Sequence, residues 1–225
     1  MSAIWKVSKK TVLILLLFAI CFSFNVFAEE VPREVLAAAK KGIIPFLNTI
    51  PEEGRASYGF GPGDQLDQAE VGIPFRVYTI TPSALSNYCP GETVSSLLSP
   101  TGMWYFPVMI KGDVKALSIV DQMDGSWEVV SVGDVPLAGE LQKVMLNWPR
   151  AQGYEPLLIV VFQAGTYFFT IPQEGACNLT PLLIGGRGLG AALLKGKKGY
   201  SSLIDISQIV EQLKAAVEEN ISQDY

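Results

Sequence analysis

The sequence predicts an α+β fold, a mainly antiparallel sheet with helices packed on one face. Three observations predict it. Residues 103–133 read as three consecutive strands joined by turn dipeptides, and 157–163 with 166–171 read as a further strand pair. Apolar residues recur at helical spacing before, between and after these blocks.

The chain begins with an address. Lys6, Lys9 and Lys10 precede the apolar run 11–21, and Val26-Phe27-Ala28 offers a cut ahead of Glu29, which reads as a signal peptide over 1–28. The apolar run approaches the roughly 18 residues needed to span a bilayer, so an uncleaved membrane anchor is the alternative. Ile20 is too bulky to precede a lipidated Cys21. Cleavage leaves 197 of 225 residues, enough for a single domain over 29–225 with a substantial core. It removes three of the 17 basic residues and none of the 22 acidic ones, so 14 face 22, a net charge of −8. Such a balance argues against nucleic acid or an anionic membrane as partner and restricts membrane contact to the leader.

Only Cys89 and Cys177 remain beyond the leader, and an oxidising compartment would pair them. The closed loop spans nearly ninety residues, so the chain-entropy model gives the bond about 4–5 kcal/mol before strain. Both lie in loop-like surroundings with no C-x-x-C spacing, which favours a structural staple over a redox pair.

A helix is expected over 32–50, with Val35, Leu36, Ala39, Ile43, Ile44 and Leu47 on one face and a bend or break at Gly42 and Pro45. A glycine-rich loop follows, then a short helix capped by Asp64. Asp64, Asp67 and Glu70 fall on one side of it, a metal or acid–base triplet in one reading and a solvated helix start in the other. Residues 73–81 alternate as a half-buried strand, with Pro74 pointing to an edge or an irregular start. A long connection over 82–101 carries Cys89 and one helical turn.

The strands of the central meander are expected at 104–110, 114–120 and 127–132. Lys111-Gly112-Asp113 supplies a Gly-X turn and Asp124-Gly125 an Asp-Gly turn. A helix through Asn147 follows, with Ala138, Leu141, Met145 and Trp148 on its apolar side and Pro149 ending it. The run 157–162 is too short to cross a bilayer and reads as a buried central strand. Its partner alternates Thr166, Phe168, Thr170 against Tyr167, Phe169, Ile171, and one aromatic set either lines a pocket or packs under a helix.

In the tail, Gly186, Gly188 and Ala191 fit a loose G-x-G-x-x-A pattern with Asp205 about twenty residues on. The chain ends before a βαβ unit could be completed, so the pattern does not predict a dinucleotide site. Lys195, Lys197 and Lys198 form a small basic loop. A last helix carries Ile206, Ile209, Val210, Leu213 and Val217 behind an Asp205–Gln208 capping box. Asn178 and Asn220 open N-glycosylation sequons that matter only in a eukaryotic secretory pathway.

In each half a helix precedes strands with apolar–aromatic alternation, so a duplicated helix-on-sheet unit, 29–133 and 134–225, is an alternative organisation. Such units are similar to cystatin-like and propeptide-like modules, by architectural analogy only.

There is no histidine. That removes Ser-His-Asp and Cys-His catalysis and imidazole metal ligands, and no catalytic, cofactor or metal motif takes their place. The reading is an exported, periplasmic or secreted, non-catalytic protein that engages a protein partner or an apolar small ligand and needs no cofactor. A surface patch from Trp104, Tyr105, Tyr167 and Phe169 is its expected binding site. The alternative is a histidine-free hydrolase or lyase using two carboxylates drawn from Asp64, Asp67, Asp121 and Glu128.

Overall fold

In the computed structural model, β3 (Leu98–Ile110), β4 (Asp113–Met123) and β5 (Ser126–Gly133) form the expected antiparallel meander. The structure describes residues 30–184, 188–193, 200 and 202–223. The leader expected at 1–28, Gly186 and the lysines at 195, 197 and 198 lie outside them. No helix among the described residues is long and apolar enough to cross a membrane.

Both meander turns place two successive residues at positive φ, Lys111 (54°) with Gly112 (84°) and Asp124 (50°) with Gly125 (83°). These are the signs of a type I′ turn, whose twist matches that of the strands. The first turn lies one residue earlier than the expected Gly-X pair, because Asp113 is already paired with Ile110.

The sheet continues through β2 (Phe75–Ile80), β6 (Leu157–Val161), β7 (Thr166–Thr170) and β8 (Thr180–Pro181), in the order β5-β4-β3-β2-β6-β7-β8. The short β1 (Glu70–Val71) pairs with β3 beside this path. All the pairings are antiparallel except β2 with β6, where Val77 lies beside Leu158 and Tyr78 beside Ile159. β2 is therefore central, and of the edge or irregular start that Pro74 suggested it has the irregular start, with the proline just before the strand. β6 is buried along its whole length, as a parallel strand covered on both faces must be. β3 starts at Leu98, and the connection before it folds into α2 (Pro82–Ser86), capped by Thr81 Oγ1, and α3 (Val94–Leu97).

The fold is α+β with a mainly antiparallel sheet, but its helices lie on both faces. On one face Val35, Ala39, Ile43 and Leu47 of α1 (Arg33–Leu47) pack on Trp104, Phe106 and Val108 of β3 and on Val120 and Ala116 of β4. The residues between, Tyr105 and Leu117, share a cluster with Leu137, Ala138 and Leu141 of α4 (Val135–Asn147). Both sides of β3 are apolar, so one helical layer cannot cover it.

α1 runs unbroken through Gly42 and Pro45. Pro45 falls in the last turn, where it removes a single ladder bond, and Asn48 N–H closes the helix on Ile44 O (3.0 Å). Asp64 caps no helix; the short 3₁₀ turn is Leu66–Gln68, and Asp64 instead accepts from Gly61 N–H (2.8 Å). At the far end, α5 (Gly188–Leu193) is followed by a 3₁₀ turn at Ile206–Gln208 and α6 (Val210–Gln223), so the expected single helix starts later, though its apolar stripe is buried. Asp205 accepts from Ser207 N–H (2.9 Å) ahead of it. Asn178 is buried, joined to Thr170, Ile171 and Gly175, so its amide is closed to glycosylation in the folded chain.

Candidate functional site

The path that β1 begins and β2 continues is interrupted at Gly72-Ile73-Pro74, and the break has a chemical cause. Val71 is opposite Val108 and Phe75 is opposite Tyr105, so the unpaired residues 72–74 face Phe106 and Pro107. Neither Pro74 nor Pro107 has an N–H to give to a ladder. Gly72 N–H still reaches Pro107 O (2.7 Å), and Pro74 O accepts from Arg150 Nη2 (2.9 Å). The Arg150 guanidinium stacks over Phe75 (5.6 Å) and faces Glu155 (3.7 Å). Burial lowers its pKa, with Glu155 opposing.

An open groove of about 620 Å³ lies over this break. Its floor is the 71–75 segment with Pro107, Met109 and Val114. Val31, Leu36 and Lys40 line it from the α1 side, and Ala138, Leu141, Gln142 and Met145 from α4. Lys40 and Gln142 are the polar side chains in an otherwise apolar lining. Ile73 is 58% exposed at the break. A volume between about 300 and 1,000 Å³, apolar walls and few polar groups are what small-molecule sites have in common.

A second groove of the same volume runs between α1 and β5, bordered by Lys41, Phe46, Trp127 and Glu128. Its lining mixes both charges with apolar groups, so water satisfies more of it. The apolar groove is the stronger candidate.

The aromatic patch expected at the surface is not there. Trp104 and Tyr105 are each 5% exposed, Phe169 is buried and Tyr167 half-buried. Trp104 lies under α1, and Tyr105 and Phe169 share the cluster that includes α4. Tyr167 hydrogen-bonds the carboxylate of Asp134, which also caps α4 through Leu137 N–H (3.2 Å). Asp134 is exposed as a residue, yet desolvation of its carboxylate raises its pKa against these two hydrogen bonds. Burial, then Tyr167 and Asp134, push the Tyr105 phenol up to about 12; burial also raises Tyr167. The phenols stay protonated at neutral pH, and Tyr167 holds the start of α4 through Asp134.

Of the acids expected as a carboxylate pair, Asp64 is taken by a lysine and Asp121 faces Glu128. Asp64 pairs with Lys115 (3.1 Å); the Gly61 N–H first, and Lys115 against the effect of burial, hold its pKa below the ordinary value. Asp67 and Glu70 are exposed. Asp121 and Glu128 are cross-strand neighbours on β4 and β5, but Asp121 Oδ1 accepts from Gln122 N–H (2.8 Å). Among the described residues no group of three His, Cys, Asp or Glu side chains could hold a metal ion.

The expected Cys89–Cys177 bond is not formed in this structure, where both residues are free thiols. They nevertheless meet a common neighbour. Cys89 N–H donates to Glu92 Oε2 (3.3 Å), and Cys177 Sγ donates to Glu92 O (3.6 Å). Val94 N–H to Ala176 O (2.7 Å) ties the same two segments.

The groove escaped the sequence reading because its residues are shared among α1, the strand break, β3, β4 and α4. Pro74 was the one visible mark. Neither a protein-family model, nor a curated protein, nor a solved structure matches the chain.

Proposed function

We propose that this chain is an exported, non-catalytic binding protein that holds an apolar small molecule in the groove over the β1–β2 break. The groove itself carries the reading: apolar walls on two helices and a floor where two prolines stop the sheet from closing. The leader pattern and the absence of histidine support export and a non-catalytic role.

The test is a titration of the protein, purified from cells expressing the whole chain, with N-phenyl-1-naphthylamine, an uncharged dye that brightens in apolar sites. Saturable binding at one site is expected. Ile73→Asp places a charge at the rim on a side chain already 58% exposed, so the fold tolerates it, and it should weaken the dye about tenfold or more. Saturable binding that Ile73→Asp leaves unchanged would move the site elsewhere. No saturable binding would end the proposal.

A further inference from the structure

We infer that the groove is built for an amphipathic anion, specifically a free long-chain carboxylate whose alkyl chain lies on the apolar floor and whose carboxylate meets Lys40. The inference rests on the groove being the binding site and adds the ligand class.

Three observations carry it. The first is the lining's charge: Lys40 is its single charged residue, on a chain whose expected mature form has a net charge of −8. With no acid in the lining, the Lys40 ammonium is the local charge an anion meets, against the chain's overall negative charge. The second is the helix around it. The side-chain neighbours three and four residues away on α1 are Leu36, Ala37, Ile43 and Ile44, all apolar, so no intrahelical ion pair neutralises Lys40. No ion pair among the described residues engages it. The third is the remaining polar group, Gln142 on α4, which can donate through its amide N–H₂ and so suits a carboxylate oxygen.

A purely apolar ligand would leave both polar groups to water and draw nothing from them. A carboxylate with an alkyl tail uses the whole lining: the tail removes Val71, Pro107, Met109 and Met145 from water, and the head makes a charge-assisted hydrogen bond. A lysine holds such a head as a point charge on a flexible stem, which tolerates tails of differing length. The ligand class is therefore a single-chain fatty acid.

The test compares dodecanoate with dodecanol as competitors for bound N-phenyl-1-naphthylamine, at neutral pH and below the concentrations at which either aggregates. Each competitor is referred to the dye affinity of the same variant. Dodecanoate should displace the dye at concentrations about tenfold or more lower than dodecanol, the ratio one charge-assisted hydrogen bond supplies. Lys40→Gln should bring the two together, and Lys40→Arg should restore the difference. Equal displacement by acid and alcohol would overturn the carboxylate assignment while leaving the apolar groove standing. So would a preference that survives Lys40→Gln. A lysophosphatidylglycerol that outcompetes dodecanoate would assign the site to a lipid phosphate instead. Failure of the dye to bind at all would remove the groove and the inference together.

Discussion

The cysteines give the sharpest prediction, because structure and compartment bear on it separately. Cys89 and Cys177 lie in segments already held together by Val94 N–H to Ala176 O (2.7 Å) and by the contacts of both residues with Glu92. A disulfide between them would add a covalent link to that tie. It would close nearly ninety residues, for which loop entropy alone gives about 4–5 kcal/mol, less whatever strain the bond introduces. At the guanidinium slope of a domain this size, that is a fall of about 1 M in the midpoint on reduction. The assay is denaturation of protein purified without reductant, with and without a phosphine reductant. Protein carrying both Cys89→Ser and Cys177→Ser is the reference that reductant should not move. Intact mass should sit about two hydrogens below the reduced chain. Two alkylatable thiols in protein taken from its own host, or a midpoint indifferent to reductant, would refute the staple and weaken the case for export.

Three further outcomes test the packing. Gly42→Ala should destabilise by about 1–3 kcal/mol despite the better helix propensity of alanine, because the new Cβ would stand 2.8 Å from Val129 Cγ2; adding Val129→Ala should recover most of the loss in urea denaturation. Ser118→Ala should be neutral or raise stability by up to about 1 kcal/mol, since the buried Ser118 hydroxyl finds no partner among the described residues. Tyr105→Phe should flatten the alkaline limb. The folded phenol is pushed up to about 12 from an ordinary value near 10, so its contribution is complete below about pH 10 and is lost as pH rises through 12. Wild type should therefore lose about 2–3 kcal/mol more than Tyr105→Phe across that window, and parallel pH curves would contradict the burial argument.

Much of the fold was legible because it is written in local chemistry. Asp124-Gly125 fixes a turn on its own, and the buried stripe from Ile206 to Val217, shared between a 3₁₀ turn at Ile206–Gln208 and α6, needs only helical spacing. The helix through Asn147 was legible, though not the bond of its cap Asp134 to Tyr167, which lies a strand pair away. Errors came where a local rule met a distant partner. Pro74 reads as an edge or an irregular start, and it cannot choose between them, because β2 acquires β6 on its far side through a parallel pairing to residues some eighty positions on. Trp104, Tyr105 and Phe169 read as a surface because alternation cannot say whether the second face of a strand meets water or another helix.

The candidate site follows from that same limitation and from one sequence feature that could have revealed it. A proline in one strand is a local irregularity; a proline on each side of the same unpaired stretch removes two donors from it. Pro107 sits in the middle of β3 between buried Phe106 and Val108, where a sequence reader sees only a good strand. With the β1–β3 and β2–β3 registers in hand, it stands across from Gly72-Ile73-Pro74, and the two missing donors account for the break. α1 covers one face of the sheet and α4 the other, so the groove forms where both helices border the break. The same arithmetic predicts how to close it. Restoring a donor opposite the break with Pro107→Val should let 72–74 pair, raise protection of those amides in hydrogen exchange, and reduce dye uptake without loss of folding. If Pro107→Val left both exchange and dye binding as they were, the prolines would not be what holds the groove open.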